Sequence, residues 1–263
     1  MPRQLILLCL LLIAALPMHA APRFTQRHLV VDGRLYGYQV FVPDGWTAAH
    51  AWPVVLFLHG SGERGDDNRK QLSQGLPPWL AAHGAEFPAV VVMPQAHEGE
   101  YWSGRAERAA LRALQASIDE FHGDTQRIYL TGLSMGGYGA WQMAVDHPGL
   151  FAAAAIVCGG VRPLPDDPPP APDLAVEGVP ARVDPYGWVA DRIRLPVWIF
   201  HGGADEVVPT AESRAMHAAL QARGREVRYS EFPGVNHGSW VPAYATPELW
   251  PWMFSHRLAQ APR

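Results

Sequence analysis

The sequence predicts an α/β fold, a mostly parallel, doubly wound sheet flanked by helices, and three observations predict it. Short β-branched apolar runs alternate with segments of helical spacing along the chain. One run, Val54-Val55-Leu56-Phe57-Leu58, is unbroken, as in a strand buried on both faces. Another, Ile128-Tyr129-Leu130, stops at Gly132-Leu133-Ser134-Met135-Gly136 and continues into Tyr138-Gly139-Ala140-Trp141, which reads as strand, sharp turn and helix. A chain of 263 residues is long enough for one such domain with a sizeable core.

The first element is a targeting segment. Arg3 precedes an apolar stretch from Leu5 to Leu16, and Met18-His19-Ala20 offers a small residue at a cut. That describes a secretory signal peptide over 1–20, too short for an ordinary membrane anchor. Cleavage after Ala20 leaves a single domain over 21–263, secreted or periplasmic; an uncleaved anchor is the alternative. Strands are expected near 35–42, 54–58, 89–93, 128–133, 152–158, 196–200 and 227–232. Helices are expected over 105–122, 137–147, 210–223 and 244–259. In the first of these, Leu111, Leu114, Ile118 and Phe121 recur at helical spacing, so that face packs on the sheet. Residues 162–187 are rich in proline and acid and fall between two strands at the ligand-binding end of an open sheet. They form either a flap over a cleft or a solvated extended loop.

Composition narrows the chemistry. The net charge is −4 and no basic block is present, so nucleic acid is not an expected partner. Of two cysteines, Cys9 lies in the targeting segment, which leaves Cys158 without an intramolecular partner. It ends an apolar run and reads as a small buried hydrophobe. No HExxH, paired CxxC or phosphate-binding glycine loop occurs, so neither metal nor cofactor is expected.

The Gly-x-Ser-x-Gly turn is the centre of the reading. Alone it is a weak signal, shared with ordinary glycine-rich turns, but its downstream partners come in order. Val197-Trp198-Ile199-Phe200 leads into His201-Gly202-Gly203-Ala204-Asp205, a carboxylate just past a strand end. Val227–Phe232 leads through Pro233-Gly234 to Asn236-His237-Gly238. Serine, acid, histidine is the order in which α/β sheets of this kind assemble a nucleophilic triad. A serine hydroxyl needs an imidazole to take its proton, and the acid fixes the imidazole tautomer. Ser134 is therefore the expected nucleophile, His237 the base and then acid, and Asp205 the orienting carboxylate. Asp205 as a helix-capping turn residue is the plain alternative. Of the other histidines, His59 and His201 precede glycine at strand ends and read as structural, and His217 and His256 sit in helical stretches.

Leu58-His59-Gly60-Ser61-Gly62-Glu63-Arg64-Gly65-Asp66-Asp67-Asn68, Met93-Pro94-Gln95, Tyr129–Gly137, Val197–Gly202 up to Asp205, and His237-Gly238-Ser239-Trp240 together carry a resemblance. The chain resembles the α/β-hydrolases, in the exported branch labelled carboxylesterase, predicted peptidase or polyester-depolymerase-like, over nearly the whole mature length. One departure is Gly238, where that branch often carries aspartate. The resemblance implies the α/β-hydrolase fold and an oxyanion hole made by the N–H of Met135 and an N–H of the loop after the 54–58 strand, Ser61 first and Gly62 second. Trp102, Gln95 and Trp240 are candidate walls of the substrate pocket. The implied activity is hydrolysis of carboxylic esters through an acyl-enzyme, on small-molecule or polymer-linked substrates, with a serine peptidase or amidase on the same triad as the alternative. A non-catalytic binding protein would fit a broken triad, and a dienelactone-type hydrolase would place cysteine where Ser134 stands.

Overall fold

The structure, a computed structural model, describes residues 23–163 and 174–259. The expected signal peptide at 1–20 and the middle of the 162–187 segment lie outside the described residues. Among the described residues eight strands form one sheet: β1 (Arg23–Val31), β2 (Arg34–Val42), β3 (Trp52–Leu58), β4 (Val90–Pro94), β5 (Gly123–Leu133), β6 (Ala153–Val157), β7 (Val197–Gly202) and β8 (Val227–Phe232). Their spatial order is β1-β2-β4-β3-β5-β6-β7-β8. The β1–β2 and β2–β4 pairs are antiparallel and every other pair is parallel.

Among the described residues seven α-helices accompany the sheet: α1 (Leu76–His83), α2 (Gly104–Phe121), α3 (Met135–Asp146), α4 (Pro185–Ala190), α5 (Thr210–Gln221), α6 (Trp240–Tyr244) and α7 (Leu249–Ser255). Leu114, Met143, Val189 and Leu220, from α2, α3, α4 and α5, join the core on one sheet face. Leu80, Tyr244 and Trp252, from α1, α6 and α7, join the core on the other. Two apolar layers around one sheet match the unbroken apolar strands, because Val54, Leu56 and Leu58 face one layer and Val55 and Phe57 the other. The chain adds β4 on one side of β3 and β5 on the other. The carboxyl ends of β3 and β5 thus flank the point where winding reverses, the place where open sheets of this kind bind ligands.

Three differences from the expected elements have physical causes. β1 is an added edge hairpin strand whose exposure alternates, with Val30 56% exposed, so it lacks a continuous apolar signal. α1 and α4 are short and carry proline in the first turn, where a missing N–H costs nothing, so their prolines read as loop markers. The helix expected over 244–259 is instead α6 and α7. Pro247 cannot donate to a carbonyl one turn back, and the chain turns at Thr246-Pro247 before resuming.

Candidate active site

Ser134 sits between β5 and α3 with φ 52° and ψ −121°, a left-handed backbone that few side-chain-bearing residues adopt. The glycines around it are required by contact. A Cβ on Gly132 would stand 2.1 Å from the Gly136 oxygen, and one on Gly136 would stand 2.0 Å from the Leu58 oxygen. The turn can therefore fold tightly only with hydrogen at both positions. The Ser134 N–H donates to Val157 O at 3.0 Å, which ties the turn to the end of β6.

His237 Nε2 lies 2.9 Å from Ser134 Oγ, and His237 Nδ1 lies 2.8 Å from Asp205 Oδ2. The structure thus brings together the three residues expected from the sequence, across separations of 103 and 32 positions. Gly202 makes the approach possible. A Cβ there would stand 2.2 Å from Asn236 O, so only glycine lets the loop carrying His237 close on the end of β7. Gly203 N–H and Ala204 N–H donate to Phe232 O and Val235 O at 2.8 and 2.9 Å, which fastens the two loops.

The Asp205 side chain is fully buried, yet it is well supplied with donors. Val207 N–H and Val208 N–H donate to Oδ1, each at 2.9 Å, while His237 and His201 meet Oδ2 at 2.8 and 3.1 Å. Burial alone would push the carboxyl up. The hydrogen bonds from His201, His237 and Val207 outweigh it and hold Asp205 far below the usual carboxylate range. An ionised acid behind the imidazole can stabilise imidazolium.

Gly60 packs directly on the elbow: a Cβ on it would lie 3.6 Å from Ser134 Cβ. The following 3₁₀ turn, Ser61–Glu63, starts with the N–H of Ser61, and α3 starts with the N–H of Met135. First-turn amides have no acceptor within their own helix and are open to an anion. His59, read from sequence as structural, holds this loop. Its Nδ1–H donates to Gly60 O at 2.6 Å, and its Nε2 accepts the Ala96 N–H at 3.0 Å.

The three wall candidates part ways. Gln95 does not face the cleft. It is buried, its Oε1 accepts Asn68 N–H at 2.7 Å, and its Nε2 donates to Glu63 O and Asp67 Oδ1 at 3.1 and 2.9 Å. A buried amide is worth most when every donor and acceptor is used, and here it knits the 63–68 loop. Trp102 is also buried. Its indole N–H donates to His59 O at 2.9 Å and its ring meets His59 edge-on, beside a small cavity shared with Met135 and Tyr138. It supports the loop from behind. Trp240 alone touches the central histidine, its ring T-shaped to His237 at 5.5 Å.

Sequence reasoning missed Glu212. Its carboxylate accepts Val161 N–H, Arg162 N–H and the Tyr186 hydroxyl, at 2.9, 3.1 and 2.6 Å, and so pins both described ends of the 162–187 segment to α5. The available signal was spacing. Glu212, Met216 and Leu220 recur every four residues and are all buried, so a charged residue sat on an apolar stripe. Cys158 is buried beneath the site, where burial pushes its thiol up to about 12. Together with Asp205 and His237 it forms a trio of possible metal-ligating atoms within 4.8 Å of one another. The Asp205 and His237 members of that trio already bond to each other.

Residues 93–246 match the dienelactone hydrolase family, and the chain belongs to it, with the α/β-hydrolase fold. The matched stretch includes Ser134, Asp205 and His237. The expectation that serine at the elbow separates the chain from this group is thereby corrected at the level of family. The chain is 30% identical over 215 residues to NocK, an esterase-named protein of Nocardia uniformis subsp. tsuyamanensis, covering 77% of this chain and 54% of that one. It is 29% identical over 228 residues to a poly(3-hydroxyoctanoate) depolymerase of Pseudomonas fluorescens, covering 76% and 75%. A solved thermostable esterase superposes with TM-score 0.68 at 30% identity, covering 89% of this chain and 63% of that one. The chain thus spans about half the length of NocK, 54%.

Proposed function

With membership of the dienelactone hydrolase family as premise, we propose that the chain is an exported serine hydrolase that cleaves carboxylic esters through an acyl-enzyme. The observation that carries the reading is the unbroken line of contacts from Ser134 Oγ through His237 to Asp205, 2.9 and 2.8 Å. His237 Nε2 takes the proton as Ser134 Oγ attacks the ester carbon, and Asp205 stabilises the imidazolium. The carbonyl oxygen becomes an oxyanion received by the N–H groups of Met135 and Ser61, with Gly62 next in line, each worth about 3 kcal/mol of barrier. Collapse breaks the C–O bond, and His237 returns its proton to the departing alcohol. Water, deprotonated by the same imidazole, then releases the acid and restores Ser134. No metal or cofactor enters these steps.

The relatives named as esterase and depolymerase support an ester substrate, small or polymer-linked. Trp240, edge-on to His237, is the proposed wall residue. The 162–187 segment, whose described residues Arg162 and Tyr186 bond Glu212, is a flap or a solvated extended loop, its middle lying outside the described residues. Residues 1–20 are the proposed signal peptide, removed after Ala20 to give a secreted or periplasmic domain over 21–263. Among the described residues no helix is long and apolar enough to cross a membrane.

The test is initial rates of the purified 21–263 protein on short and long aliphatic esters, a hydroxycinnamoyl ester and a peptide amide, with Ser134→Ala as control. Ester turnover that falls by about 10⁴-fold or more in Ser134→Ala is the expected result. Equal turnover by the two proteins would remove the serine mechanism, and amide turnover above ester turnover would install the peptidase reading instead.

A further inference from the structure

The acid of the proposed triad serves two histidines through one oxygen. Asp205 Oδ2 lies 2.8 Å from His237 Nδ1 and 3.1 Å from His201 Nε2. His201 is the penultimate residue of β7, and its side chain is wholly buried. Its tautomer follows from its neighbours. The Nε2–H donates to Val208 O at 3.0 Å, so Nε2 carries the hydrogen, and Asp205 Oδ2 at 3.1 Å meets the same N–H as a second, shared acceptor. Nδ1 then has a lone pair, and the Ser213 hydroxyl of α5, 2.6 Å away, donates to it. A continuous chain results: Ser213, His201, Asp205, His237, Ser134.

We propose that His201 is a positioning residue for the reaction, a second imidazole locked as an Nε2–H donor that sets the place and basicity of the Asp205 oxygen orienting His237. The inference rests on the esterase reading above and deepens it. Two features separate this role from plain packing. His201 and His237 meet the same oxygen, whereas the two valine N–H groups satisfy the other one. Val208 O sets the donor direction, and Ser213, from a different element, anchors the opposite side of the ring.

The charged and titratable groups around this chain do not compete for the proton. Glu231 of β8 is held ionised at about 2 by Arg214 and Tyr229, and Cys158 is held as a thiol at about 12 by burial. Tyr138 of α3 is pushed up by burial and stays a phenol. The remaining actors are His201, Asp205 and His237. Without the His201 N–H, Oδ2 has one donor fewer and pulls harder on the His237 Nδ1–H. Imidazolium is then favoured, and the acidic limb of kcat/KM, which reports the free base, moves to higher pH.

The experiment compares His201→Ala, His201→Gln and Ser213→Ala with the unaltered 21–263 protein on the best ester. Rates are expressed per serine labelled by a fluorophosphonate, so that misfolded protein is not counted. The expected result for His201→Ala is a kcat about tenfold lower per labelled site, KM within about twofold, and an acidic limb displaced upward by about half a pH unit, as for loss of one hydrogen bond to a charged group. His201→Gln, whose amide can donate from a similar position, restores most of the rate and the limb. Ser213→Ala shows the same displacement in smaller degree, and it decides the matter if His201→Ala yields no soluble protein. An unchanged limb and per-site rate in the variant that decides would overturn the proposal. Failure of the underlying reading looks different: the Ser134→Ala protein would then keep both its turnover and its labelling.

Discussion

Gly136 lies under the Leu58 carbonyl so closely that a Cβ on it would stand 2.0 Å from the oxygen and 2.8 Å from that of His59. Both neighbours are main chain at the end of β3, so no rotamer change relieves the clash. Gly136→Ala is therefore expected to cost about 3 kcal/mol or more of stability. Gly62→Ala, in the same neighbourhood, meets nothing within 4 Å and keeps its N–H. It is expected to shift stability by less than about 0.5 kcal/mol. Urea denaturation of the two variants checks the contrast, and equal losses would mean that the elbow is looser than its contacts require.

The same contact explains what the sequence made legible. Gly-x-Ser-x-Gly, the unbroken apolar strand before His59, and the order Ser134, Asp205, His237 are local patterns that lie on strand ends, and strand ends are read from short windows. Gln95 is a candidate wall by its position after a strand, yet its amide turns into the 63–68 loop and is used up there. Which way a side chain turns after a strand depends on partners distant in sequence, here Asn68 and Asp67. His201 and Glu212 were hidden for the same reason. Their partners, Ser213 with Asp205 and Val161 with Tyr186, come together only when α5 packs beside β7.

Gln95→Leu tests its reassignment. The change leaves Asn68 N–H and Glu63 O without their buried partner, at an expected cost of about 2 kcal/mol. All esters of a panel should lose rate by a similar factor, because Gln95 touches a loop and not the substrate. A change in the ranking of acyl groups, without loss of stability, would return Gln95 to the pocket wall.

Cys158 lies close to the proposed nucleophile yet is expected to be chemically silent. It is fully buried, and burial pushes its thiol up to about 12 against the opposing contact with Ser239. Native protein should keep full activity and an unmodified thiol after an hour with excess iodoacetamide at pH 8, whereas protein in urea should label once. Rapid labelling of the native form, read by intact mass, would show that the region beneath the proposed triad opens to solvent.

His59 should make the protein acid-sensitive. Its imidazole is buried, donates Nδ1–H to Gly60 O and accepts Ala96 N–H at Nε2, and burial holds it down at about 4 against an ordinary value of 6.5. Above pH 6.5 both folded and unfolded chains hold it neutral, and it adds no pH dependence. Between 6.5 and 4 the unfolded chain binds a proton that the folded chain refuses, so stability falls as pH falls. Below 4 both forms are protonated and the loss levels off. The full displacement corresponds to about 3 kcal/mol. His59→Gln removes the titrating group at similar volume. It should be less stable than the parent at pH 7, where a neutral imidazole fits its two partners, and should lose less on going from pH 7 to 4.5. Urea midpoints at the two pH values read both effects. Parallel losses in parent and variant would show that other groups carry the acid sensitivity. A shallower loss in the variant would tie it to the loop that carries Gly60 and Ser61, so that acid would loosen the proposed oxyanion site before it unfolds the sheet.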